Sequence, residues 1–313
     1  MSDDRVSPPD AAALPLPPEV AEAEARDEIA RIYEEIRQAL RSPNVNLVYR
    51  LLASYPPYLA AAWEQVRPNL ASRYVEREAE RLRALGPLDI GSSGASFRRD
   101  LAALGLPDDE LGRIRATIDL FNYANPKNLI VVTALHLALD GRPIPGSGDP
   151  EAGRRVPEGP LPAVEVRLLD ARSASPEARA VLDEILAAHD TAGAMPSVYR
   201  ALAGWPAFLR LTWETLRPLV AGAEIAKRVR RLIDEAERSA LGLPHPLSLS
   251  RAEAEPLIGP NGTAAVGAVL QRFRTGMIPP MIVEIHTLKA LLDGADAARR
   301  SPLAWRAGKV GSG

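Results

Sequence analysis

Apolar residues recur along this chain at helical spacing almost throughout. In the segment 28–40, Ile29, Ile32, Tyr33, Ile36 and Leu40 are spaced three and four apart and share one face. The segment 106–123 opens with Asp108, Asp109 and Glu110, which suit the positive end of a helix. It then lines up Leu111, Ile114, Ile118 and Phe121. Pro56 and Pro206 cannot sit mid-helix, so each predicts a turn and a helix start. Asn125-Pro126 reads as a cap followed by a first-turn proline, between two helical stretches. The period-two alternation of half-buried strands is missing, and Val164–Asp170 is the one strand-like segment. The pattern predicts an all-α protein.

The pattern also repeats. Val48–Pro68 matches Val198–Pro218 at 11 of 21 positions, at a constant offset of 150. The identical pairs include Tyr49/Tyr199, Arg50/Arg200, Trp63/Trp213 and Arg67/Arg217. Pro56/Pro206 and Pro68/Pro218 are read as the same helix boundaries used twice. Weaker echoes extend the match, from Glu35-Ile36 against Glu184-Ile185 to Leu139–Gly141 against Leu292–Gly294. A period this long is not a solenoid. It implies two tandem helical repeats forming an intramolecular pseudo-dimer, with any site at the repeat interface. The expected organisation is a disordered Pro-rich arm (1–22), a first repeat (23–141), a Pro/Gly-rich linker (142–170), a second repeat (171–295) and a tail (296–313).

Composition then narrows the chemistry. The 313 residues carry a formal net charge of −2, which offers no field for nucleic acid or an anionic membrane surface. The N-terminus lacks the basic start and apolar run of a signal peptide, and no apolar run approaches a bilayer span, so a cytoplasmic protein is expected. With no cysteine there is no thiol nucleophile, disulfide or Cys-ligated metal. The four histidines show no metal-ligand spacing, so no metal is expected; His136 and Asp140 read as a packed polar pair. Gly91–Ser96 and Gly146–Gly148 lack the Lys-Ser/Thr of a phosphate loop. Arg50 and Arg200, at equivalent places in apolar surroundings, read first as buried or half-buried ion pairs, with Glu64 and Glu214 or the neighbouring repeat as partners, and second as anion binders. Trp63 and Trp213 read as core anchors.

Four segments, Phe121–Leu129, Tyr199–Pro206, Val269–Phe273 and Leu291–Pro302, resemble the DehI-type 2-haloacid dehalogenases, a cofactor-independent family. The likeness runs from about residue 22 to 303. It implies an all-α pseudo-dimer, assembled as a homodimer, that hydrolyses small 2-haloalkanoic acids to 2-hydroxy acids. Water attacks the halogen-bearing carbon directly, an Asp serves as general base, and an Asn holds the water. The Asn falls on Asn125. The base falls on Val198, after Ser197, and valine has no proton chemistry. Further implied pocket positions are Asn44, Asn46, Leu47, Asn128, Leu270, Phe273, Arg274 and Met277, a more polar and more cationic wall than the family's. Restoring Asp at position 198 alone is therefore expected not to return full activity. Asp190, His189, Glu284 and His286 are the nearest substitute bases by sequence. The alternative is a repurposed, non-catalytic member that binds a small polar carboxylate.

Overall fold

The computed structural model describes residues 14–91, 93–156, 164–170, 172–189, 191, 193–220 and 222–305. Among them the chain is all-α, with no β-strand beyond two isolated bridges. Val164–Asp170 is irregular, so its strand-like pattern does not become a strand. None of the described helices is long and apolar enough to cross a membrane.

The helices follow from local chemistry. Helix α1 (Asp27–Leu40) buries all five residues of its apolar stripe. Helix α2 (Leu47–Leu52) is followed by α3 (Pro56–Leu70), which starts at its proline. Ser72 caps α4 (Arg73–Leu85) by accepting from the Val75 amide. Next come α5 (Ser93–Ala103), the 32-residue α6 (Asp108–Leu139) and the short α7 (Pro150–Gly153) inside the expected linker. Ser175 caps α8 (Pro176–Ala188); α9 (Ser197–Leu202) and α10 (Pro206–Val220) then echo α2 and α3 in length and proline placement. Helix α11 (Ala223–Leu241) precedes α12 (Arg251–Arg272), which opens on a Ser250/Glu253 capping box. A π-helical turn (Phe273–Met277) leads into α13 (Ile278–Asp293) and α14 (Ala295–Ala298).

Two sequence readings are corrected. Pro68 and Pro218 lie inside α3 and α10, near their last turns, and not at boundaries. Asn125-Pro126 does not cap a new helix, because α6 runs through it. A mid-helix proline deprives the carbonyl four residues back of its donor. Here that carbonyl, Asn122 O, accepts from Arg83 Nε at 3.0 Å, and Tyr123 O accepts from Arg83 Nη2 at 3.2 Å. Arg83 is fully buried and takes the place of the missing amide, so the helix continues.

The apolar interior forms two clusters, and each joins helices from before and after residue 142. The first joins α1–α4 and the C-terminal half of α6 to α11 and α12. The second joins α8–α10 to α5, the N-terminal part of α6 and the later turns of α13. Helix α6 passes from one cluster to the other between Phe121 and Leu129, which places Asn125 at the seam.

Residues 14–22 of the expected disordered arm are laid against the body. Ser54 Oγ donates to Pro18 O at 2.5 Å, Tyr33 donates to Val20 O at 2.9 Å, and the Val20 amide donates to Arg50 O at 2.9 Å.

Candidate active site

A pocket opens at the seam. The cavity is small, about 50 Å³, which exceeds the roughly 10–15 Å³ that a single water needs. Helix α2 and its cap contribute Asn46, Leu47 and Val48. Helix α6 contributes Phe121, Asn125 and Asn128, which lie on one face because they are four and three residues apart. Pro196, Ser197 and Val198 enter at the start of α9. The π turn and α13 supply Phe273, Met277, Ile278 and Met281.

Eight of the expected site residues therefore meet: Asn46, Leu47, Asn125, Asn128, Ser197, Val198, Phe273 and Met277. Three do not line the pocket. Asn44 is folded into a local turn, its carbonyl and Oδ1 both accepting from Ser42 Oγ at 3.1 Å. Leu270 is fully buried in the first cluster. Arg274 is drawn away by a tight ion pair with Glu237, so the added cation expected in the wall is absent from it. The sequence reading missed Val48, Phe121, Pro196, Ile278 and Met281. Phe121 was within reach: it sits one turn before Asn125, but a helix boundary at Asn125-Pro126 hides that relation.

The pocket is apolar with a few amides and a hydroxyl, and none of its lining residues ionises. Asn128 is oriented by Tyr49, whose hydroxyl donates to Asn128 Oδ1 at 3.0 Å, leaving the buried Nδ2 without a partner. Asn46 Oδ1 is likewise buried and unpartnered. Asn125 is half-buried, and no described residue hydrogen-bonds its side chain. Ser197 Oγ accepts from Arg50 Nη2 at 3.5 Å. These atoms can orient a water or a polar ligand, but an amide cannot take a proton from water at neutral pH.

The substitute bases are engaged elsewhere. Glu284 holds His189 Nε2 at 2.8 Å through Oε1 and accepts a short hydrogen bond from the Tyr199 hydroxyl through Oε2. His286 is fully buried; its Nδ1 meets Arg83 O at 3.1 Å. Burial, with Arg83 beside it, pushes the His286 pKa down to about 3, so the ring stays neutral. None of these three lines the pocket, and Asp190 lies outside the described residues.

The His189–Glu284 pair makes stability depend on pH. Burial opposes a charged His189 ring, but the hydrogen bond and charge of Glu284 outweigh it and raise the pKa. The pair's contribution is therefore complete below about pH 6.5, the ordinary histidine value, and fades as pH rises through the higher folded value. Unfolding midpoints in urea between pH 5.5 and 9 should fall with this sign, and His189→Gln should flatten that slope. An unchanged slope in the variant would remove His189 as its source.

A Tyr–Trp–Glu arrangement occurs twice in the fold. Trp63 Nε1 donates to Glu35 at 2.7 Å, and Trp213 Nε1 donates to Glu184 at 3.2 Å. Tyr49 meets Trp63 edge-on at 6.3 Å between ring centroids, and Tyr199 meets Trp213 at 6.4 Å.

Known proteins resemble the chain along nearly its whole length. Residues 43–192 match the family model described as halocarboxylic acid dehydrogenase DehI. A configuration-inverting 2-haloacid dehalogenase of Alcaligenes xylosoxydans xylosoxydans is 33% identical over 292 residues, covering 91% of this chain and 97% of the relative. The chain belongs to the DehI family. A second configuration-inverting 2-haloacid dehalogenase, from Pseudomonas sp. (strain 113), is 27% identical over 92% of this chain and 95% of its own length. The DehI-family fold is also seen in a D-2-haloacid dehalogenase mutant, with a TM-score of 0.80 and 24% identity, covering 88% of this chain and 96% of that one.

Proposed function

We propose that the chain is a slow 2-haloacid hydrolase that takes small 2-haloalkanoic acids into the pocket at the seam. Asn125 holds the attacking water; the water oxygen bonds to the halogen-bearing carbon, the carbon–halogen bond breaks with the halide leaving with the bonding pair, and the water's proton passes to solvent. Membership of the DehI family supports the substrate class. The observation that carries the reading is the meeting of Asn125, Ser197 and Val198 in one pocket with no ionisable lining residue. A positioned general base contributes roughly 10²–10⁴-fold. With valine at position 198 the chain forgoes that factor and keeps the contribution of positioning.

The two repeats are read as a duplicated unit, a pseudo-dimer whose seam is the site. The matched lengths of α2/α9 and α3/α10 and the twice-used Tyr–Trp–Glu arrangement support this.

One observation favours a second reading, a non-catalytic binder of a polar carboxylic acid. Asn46 Oδ1 and Asn128 Nδ2 are an acceptor and a donor without partners. A hydroxyl satisfies both, whereas a halogen cannot donate.

Thermal denaturation with D- and L-2-chloropropionate and with lactate tests binding. Ligand at about 100 times its dissociation constant should stabilise the chain by about 2.7 kcal/mol. A midpoint unmoved by all of these acids would overturn both readings.

A further inference from the structure

The pocket has no charged wall, yet the proposed ligands are anions. Arg50 touches the pocket wall, donating to Ser197 Oγ at 3.5 Å. Its side chain is 4% exposed, and its Nε is buried without a hydrogen-bond partner. Arg200, the equivalent residue of the second repeat, stands beside it. The expected partners Glu64 and Glu214 are not the ones found. A single carboxylate, Glu19 of the N-terminal arm, lies 3.4 Å from both guanidinium groups. Arg200 also donates to Leu169 O at 3.2 Å, which fixes its guanidinium. Glu19 is about a third exposed and borders a surface depression that Leu47, a wall of the main pocket, also lines.

We propose that Arg50 and Arg200 form a carboxylate clamp at the edge of the pocket, that Glu19 occupies it in the ligand-free chain, and that the carboxylate of an incoming acid displaces Glu19. This rests on the reading of the pocket as an acid site. Two guanidinium groups converging on one carboxylate form the donor set that recognises such a ligand. The two 3.4 Å contacts exceed the 2.7–2.9 Å of a strong charged hydrogen bond, so Glu19 fills the clamp without saturating it. Its backbone neighbours Pro18 and Val20 are tied to Ser54, Tyr33 and Arg50, so the side chain can leave while the arm stays in place.

The test is titration of the full chain with acetate, and with acetamide as the neutral control. Glu19→Gln should bind acetate about tenfold more tightly than wild type, the worth of one charge-assisted hydrogen bond. Acetamide binding should not change. Arg200→Gln in the Glu19→Gln background should abolish the gain, and it spares the more deeply buried Arg50. Absence of an acetate gain, or an equal gain for acetamide, overturns the clamp. A chain that binds 2-chloropropionate but shows no acetate gain loses the clamp and keeps the pocket reading. A chain that shows the acetate gain but binds no 2-haloacid keeps the clamp and loses the pocket reading.

Discussion

Val198→Asp should raise chloride release from 2-chloropropionate by about 10²–10⁴-fold over the wild-type chain, the usual worth of a positioned general base. Val198 already lines the pocket with Asn125, so the new carboxylate enters the space where the proposed mechanism puts the attacking water. The helix should tolerate it, because position 198 lies in the first turn of α9, where an acidic residue complements the helix dipole. The polar and cationic wall that argued against such a rescue is reduced by the structure. Arg274 is paired with Glu237, and Asn44 is closed on Ser42. Asn46, Leu47 and Asn128 remain in the wall, so the rescue should stop short of complete activity. Adding Asn125→Ala to the variant should remove most of the gain. An unchanged rate in a folded Val198→Asp variant would show that position 198 does not face the reacting water.

Lys127→Met should be among the most destabilising substitutions in the chain, at about 3–5 kcal/mol. Lys127 is buried on α6, between Asn125 and Asn128 in sequence, and does not line the pocket. Its Nζ lies 2.5 Å from Glu76 Oε2 and 2.6 Å from the Tyr123 hydroxyl. Glu76 also accepts from Tyr123 at 3.0 Å and from the Trp305 amide at 2.7 Å. Burial works against both charges, yet each partner's pKa moves toward its ionised form, down for Glu76 and up for Lys127. Removing the ammonium leaves a buried carboxylate uncompensated. Glu76→Gln in the Lys127→Met background should recover more than half of the loss, since a neutral amide oxygen still accepts from Tyr123 and Trp305. Urea unfolding of the three variants measures this. A cost under about 1 kcal/mol for Lys127→Met would place the pair with weak surface bridges.

The helical fold was legible because it rests on local periodicity. The stripe of α1 and the proline starts of α3 and α10 need nothing beyond their own residues. What failed was long-range. Pro126 continues a helix only because Arg83, some forty residues away, takes the carbonyl that the proline frees. The partner of Arg50 and Arg200 is a glutamate in an arm expected to be disordered. The mixing of α5 and α12 into opposite clusters leaves no trace in either helix's own pattern. The meeting of Asn125, Ser197 and Val198 in one pocket was expected from the family motif. Phe121 was hidden by the misplaced helix boundary, and Arg274 was misassigned because Glu237 lies on a different helix.

The most direct test of the account is chloride release by the wild-type chain from each enantiomer of 2-chloropropionate, set against Asn125→Ala. The account predicts slow release, above that of Asn125→Ala and below that of Val198→Asp. Wild-type release no faster than Asn125→Ala would contradict it.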